Sequence, residues 1–166
     1  GFPTPSHRLH PRPMPRTPAS KLRRRPPFFH PVPLRSRRDG WSAARQCAFL
    51  AHLYLTGSVS AAAGAVGMSR ESAHRLRRRA GAASFAQAWD HVLTPQGEGR
   101  VAQKVDWRKV TDEELFRRVE HGLIAPALHR GRITGIRRKA DNSALLRLLR
   151  RLDKANAQPF EEEPGA

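Results

Sequence analysis

Proline occupies ten of the first 40 positions of this 166-residue chain, and Lys or Arg another ten, against one acid, Asp39. Proline breaks helices and sheet ladders, and crowded like charges repel, so such a stretch buries too little apolar surface to offset its ordering entropy. Residues 1–40 are therefore expected to form a disordered basic arm. With residues 156–166, which hold Glu161, Glu162 and Glu163, read as a flexible acidic tail, about 115 residues remain to fold. That is near the usual size of an independent domain.

Ten basic residues minus one acid in 1–40, 21 minus 10 in 41–155, and three acids beyond give the net charge of +17. The part expected to fold is thus basic by itself. Lys and Arg that neutralise phosphates release condensed counterions, so a polyanion, nucleic acid first, is the expected partner. The plainer alternative is a charge that serves solubility alone. The single Cys47 excludes an internal disulfide and a Cys-based zinc site and fits a reducing compartment. The stretch Gln46 to Ser69 carries no formal charge, but His52, Thr56, Ser58, Ser60, Gly57, Gly64 and Gly67 argue against a membrane span. The proline-studded amino end lacks an apolar signal region, so a cytoplasmic, nucleoid-associated location is expected.

Along the chain, capping residues and helical spacing mark the elements. Ser42 opens a first helix in which Phe49, Leu50 and Leu53 recur until Gly57. Ser58 opens a second, Ala-rich helix ending at Val66 and Gly67, and Ser69 a third, basic one reaching Arg79. Phe85, Ala88, Trp89 and Val92 form one face of a fourth that stops before Pro95. Gly97 and Gly99 mark a linker, dividing a lobe at 41–94 from a smaller one at 95–155.

In that second lobe Thr111 and Glu114 have capping-box spacing ahead of a short helix ended by Gly122. Arg130-Gly131 is a turn signal between Pro126 and Arg138, which predicts a short hairpin. Asp141 or Asn142 then caps a last helix with a stripe of Leu145, Leu148, Leu149 and Leu152. The fold class is therefore mainly α: a helix-turn-helix lobe, a carboxyl-terminal lobe with hairpin and Leu-rich helix, and the basic arm.

The second and third helices, Val59 to Arg79, carry the functional reading. A helix-turn-helix needs a sharp bend with a glycine that accepts positive φ and a small residue four positions earlier, and Gly67 and Ala63 supply them. Ala62, Val66, Met68, Ala73 and Leu76 stand at the offsets that fill the angle between the helices. Ser69, Arg70, Glu71, His74, Arg75 and Arg78 then point outward. Arg can address guanine with two hydrogen bonds, and Glu can accept from cytosine. Arg77 and Arg79 are expected on the phosphate backbone, and Ser69 with the first-turn amides at a phosphate. A plain helical hairpin with a solvated arginine face is the alternative.

The run Thr56-Gly57-Ser58-Val59, Ala61-Ala62-Ala63 and Val66-Gly67-Met68-Ser69-Arg70, with Ala83-Ser84-Phe85 and Trp89, resembles bacterial helix-turn-helix proteins. More narrowly, the chain is similar to the group related to phage terminase small subunits, in which a hairpin and a Leu-rich helix follow the DNA-binding lobe. Arg130-Gly131-Arg132, Gly135 and Asp141-Asn142 through Leu149 match that second part. The resemblance covers about two-thirds of the chain and implies DNA binding by the first lobe. Leu123 to His129 lacks the aromatic residues of that pattern, and the basic arm is additional.

Other chemistry finds less support. His7, His10 and His30 lie in the arm, and His52, His74, His91, His121 and His129 show no paired ligand spacing, so neither a metal nor a cofactor is expected. A phosphate-cradling glycine loop is lacking, and Glu113 and Glu114 suit the dipole of a helix start better than acid-base work. Catalysis is therefore not expected, nor is a small-molecule substrate evident. The last helix could meet DNA, a membrane surface or a partner; burial of its leucines in a homo-oligomer is favoured. Sequence-specific binding of duplex DNA for transcriptional regulation is the leading expectation, with recognition of DNA for viral packaging and a basic RNA-associated structural role as alternatives.

Overall fold

The computed structural model describes residues 23–98 and 105–157. It is mainly helical, with one two-stranded antiparallel sheet. Helix α1 (Ala43–Thr56) starts where the Ser42 hydroxyl accepts from the Arg45 amide and ends at Gly57. Helices α2 (Val59–Ala65) and α3 (Arg70–Arg77) start on Ser58 and Ser69, whose hydroxyls accept from the Ala61 and Ser72 amides. Each cap satisfies a first-turn N–H that has no partner inside its helix. Helix α4 (Ala83–Leu93) runs to the bend before Pro95.

These four helices close on one core. Phe49, Leu50 and Leu53 of α1 meet Ala62 and Ala63 of α2, Ala73 and Leu76 of α3, and Phe85, Ala88, Trp89 and Val92 of α4. Phe49 is its centre: its ring lies 4.9 Å from Trp89, 5.5 Å from Trp41 and 6.0 Å from Phe85. Those separations are in the favourable range for offset and edge-on aromatic pairs.

The expectation of a disordered arm through residue 40 is corrected from Arg23 onward; residues 1–22 lie outside the described residues. Phe29 and Val32 are buried in the core, and Phe29 exchanges two backbone hydrogen bonds with Ile124 at 2.9 and 3.0 Å. The buried Gln46 amide holds Val32 from both sides, its Oε1 accepting from the Val32 amide and its Nε2 donating to the Val32 and Trp41 carbonyls. Upstream, the Arg23 guanidinium donates to the carbonyls of Tyr54 and Leu55 at the end of α1. Proline gives up little entropy on ordering, so a few anchors suffice to hold such a strap.

Past the linker, whose residues 99–104 lie outside the described residues, a 3-10 turn at Trp107–Lys109 leads into helix α5 (Asp112–His121). Thr111 caps it by accepting from the Glu114 amide, but the Glu114 carboxylate turns to Arg117 and Arg118, so half of the capping box is made. Gly122 has φ +64°, and a Cβ there would stand 2.6 Å from the Lys139 carbonyl oxygen. That corner admits only glycine.

Strands β1 (Leu123–His129) and β2 (Arg132–Lys139) form the expected hairpin, begun three residues earlier than read, with Pro126 opposite Ile136. Arg130 and Gly131 both take positive φ, the hairpin turn that matches strand twist. Helix α6 (Asn142–Asn156) is capped by Asp141, which accepts from the Ala144 amide. The expected acidic tail lies, from residue 158, outside the described residues. Leu115, Ala144 and Leu148 form a second, small core, flanked by Trp107, Val110 and Val119. The expected division near residue 95 does not separate the cores, because Ile124 of β1 belongs to the first.

Candidate nucleic-acid interface

Between α2 and α3 the chain turns within four residues. The Met68 amide donates to the Ala63 carbonyl at 2.9 Å and the Gly67 amide to that of Gly64 at 3.1 Å, while Gly67 sits at φ +74°. This pair of bonds is the Schellman closure, which needs a left-handed residue at the position of Gly67. A Cβ on Gly67 would meet no atom within 4 Å, so only its backbone angle, not crowding, demands glycine. Ala63 is fully buried, and Val66 and Met68 pack on the core from the turn.

Helix α3 shows two faces set by its spacing. Ala73 and Leu76 are buried, whereas Arg70, Glu71, His74, Arg75 and Arg78 surround one open depression on the opposite side. Ser69, Arg70, Glu71, Arg75, Arg78 and Arg79 are exposed. Among the described residues no carboxylate lies within ion-pair distance of Arg70, Arg75, Arg78 or Arg79. Side chains without an internal partner keep their hydrogen-bonding capacity for a ligand.

Two of the residues expected to contact DNA, Arg77 on the phosphate backbone and His74 on the outward face, are engaged inside the protein. Arg77 pairs with Asp90 of α4 through two contacts of 2.8 and 2.9 Å, and its guanidinium lies 5.2 Å over the Trp89 ring. A guanidinium committed this way holds α3 to α4 and is not offered to a phosphate. His74 is half-buried, its ring 5.3 Å from Trp89, and it also borders the depression. On the other flank the Trp41 indole N–H donates to Ser72 Oγ at 2.7 Å.

Trp41, Ser72 and Asp90 thus position α3, and none was singled out for this from the sequence. Asp90 had a signal, since it is the sole acid of α4. Trp41 and Ser72 had none, being 31 positions apart. Among the described residues, His, Cys, Asp and Glu form no group of three that could hold a metal. Comparison with protein-family models, curated proteins and solved structures finds no match.

Proposed function

We propose that this protein binds duplex DNA sequence-specifically through a helix-turn-helix formed by α2, its turn and α3, and that it regulates transcription on the nucleoid. One observation carries the reading: α3 turns Arg70, Arg75 and Arg78 away from the core with no carboxylate within ion-pair distance among the described residues, while Ser72 and Arg77 fasten its other side. A rod held from behind with free guanidinium forks in front is what reading base edges in a major groove requires. Arg70 and Arg75 would address guanine, Glu71 cytosine, and Ser69, Arg78 and Arg79 the phosphates. Arg77 supports the helix instead.

Selection from random duplex DNA, run beside a structured-RNA control, tests this. A preferred duplex should emerge, and Arg70→Ala or Arg75→Ala should weaken it by about 1–3 kcal/mol and relax its sequence preference. Tighter binding of structured RNA, or selectivity unaltered in both variants, overturns it.

A second reading is recognition of viral DNA for packaging, as in terminase small subunits. It is favoured by the hairpin β1–β2 followed directly by the leucine-bearing α6. In that role α6 would join copies of the chain, and the motor would be another subunit. Among the described residues no helix is long and apolar enough to cross a membrane.

A further inference from the structure

Away from α3, the strap, the start of α1, α5 and the hairpin β1–β2 border a half-open cavity of about 400 Å³, a volume typical of small-molecule sites. Arg35, Arg37, Arg117, Arg118 and Arg138 line it, and among the described residues Glu114 is the one carboxylate in its wall. Glu114 pairs with both Arg117 and Arg118, so a single negative charge answers two guanidinium groups. Arg35, Arg37 and Arg138 meet no carboxylate among the described residues. His30, also in the wall, has its pKa lowered first by burial and then by the charge of Arg118.

Cations gathered around one space raise each other's energy unless an anion joins them. Guanidinium forks fit phosphate oxygens in pairs, which a carboxylate-poor arginine cluster favours over a single carboxylate ligand. The rest of the lining is mixed: Ser36, Ser42 and His121 are polar, while Pro33, Leu34 and Trp41 give an apolar stretch beside the arginines. Inorganic phosphate would leave that surface uncovered. A ligand with a multiply charged head and a flat, largely apolar body covers both parts.

We infer that this cavity binds a nucleoside phosphate, its phosphates among Arg35, Arg37 and Arg138 and the outward N–H groups of Arg117 and Arg118, and its base against Pro33 and Leu34. The site shares no residue with the depression on α3. It therefore stands independently of the DNA-binding proposal.

The experiment is calorimetric titration of the full chain with ATP and with pyrophosphate at about 0.15 M salt, where diffuse attraction to a basic surface is screened. One ATP per chain is expected, held more tightly than pyrophosphate. Arg37→Ala and Arg138→Ala, both at exposed positions where folding is not at stake, should each weaken ATP about tenfold or more, the worth of a charge-assisted contact. Arg75→Ala on α3 should leave ATP binding unchanged. The proposal falls if ATP does not bind, if pyrophosphate binds as well as ATP, or if Arg75→Ala weakens ATP as much as Arg138→Ala.

Discussion

The two cores of this protein are built from different materials. The first packs Phe29, Phe49, Phe85 and Trp89 ring against ring, and every one of them is buried. Among the described residues the second buries Leu115, Ala144 and Leu148 and is roofed by Trp107, with the guanidinium groups of Arg147 and Arg118 at 4.4 and 5.7 Å from its ring. Arg151 closes it, donating to Asp112 and to the carbonyls of Val110 and Trp107. Ring packing depends on area removed from water, which salt leaves intact, whereas exposed ion pairs contribute little and are screened. The candidate interface on α3 rests on the first kind of core. The second kind stays open at its outer face.

The sharpest way to break this contrast is to truncate one residue of each core. Phe49→Ala removes a ring in contact with three other aromatic residues and should cost about 3–5 kcal/mol in a denaturant titration, with α3 losing its support as well. Leu148→Ala should cost less, near the lower end of about 2–5 kcal/mol for such changes, because its surroundings are already partly open. Equal losses would mean that the cores do not differ in kind.

The next effect lies where the regions meet. Asp141 caps α6 through Oδ1 and accepts from His30 of the strap at 2.8 Å through Oδ2. Asp141→Ala should cost about 2 kcal/mol or more, one part from the lost cap and another from the stranded His30 N–H. Asp141→Asn, which retains an oxygen for the cap, should recover part of it. If alanine and asparagine behave alike, the cap contributes nothing and the joint is elsewhere.

A smaller effect follows from the His30 side of that joint. Burial and then Arg118 lower the His30 pKa below 6.5, outweighing the Asp141 contacts that raise it. A histidine held neutral by the fold stabilises it above its unfolded value, and that contribution is lost as pH falls through the folded one. Melting temperature should therefore drop between about pH 7 and 5, less steeply in His30→Gln. His91, shifted the same way by burial and Arg24, keeps some slope in that variant. A slope identical to that of the parent removes His30 from the account.

Much of the first region is legible in the sequence because its punctuation is local. Ser42, Ser58 and Ser69 each stand next to the helix they cap, and Gly67 marks its own turn. The strap was not legible, since its order depends on Gln46 and Ile124, one placed within an apolar helix and the other some 95 positions beyond Phe29. Composition counted its prolines and arginines and could not see that Phe29 and Val32 each find a socket. On α3 the burial of Ala73 and Leu76 follows from helical spacing, while the capture of Arg77 depends on Asp90 from another helix. Spacing assigns a face, but long-range partners decide which cations on it remain available.

The smallest change in stability should come from the stripe expected to be covered. Of Leu145, Leu148, Leu149 and Leu152, only Leu148 is buried; the other three are 38%, 46% and 45% exposed, with Leu146 beside them at 55%. Gln at 145 and 149 together should shift monomer stability by no more than about 0.5 kcal/mol per site, as for other surface changes. Cys47 supplies a control on the first core, because burial pushes its thiol up to about 12 and the folded chain should resist thiol reagents in parent and variant alike. What should change is assembly: if copies of the chain meet through this stripe, sedimentation at matched concentration shifts to the smaller species in the variant. A parent that is already monomeric at the same concentration would show that the open side of the second core is not closed by its own kind.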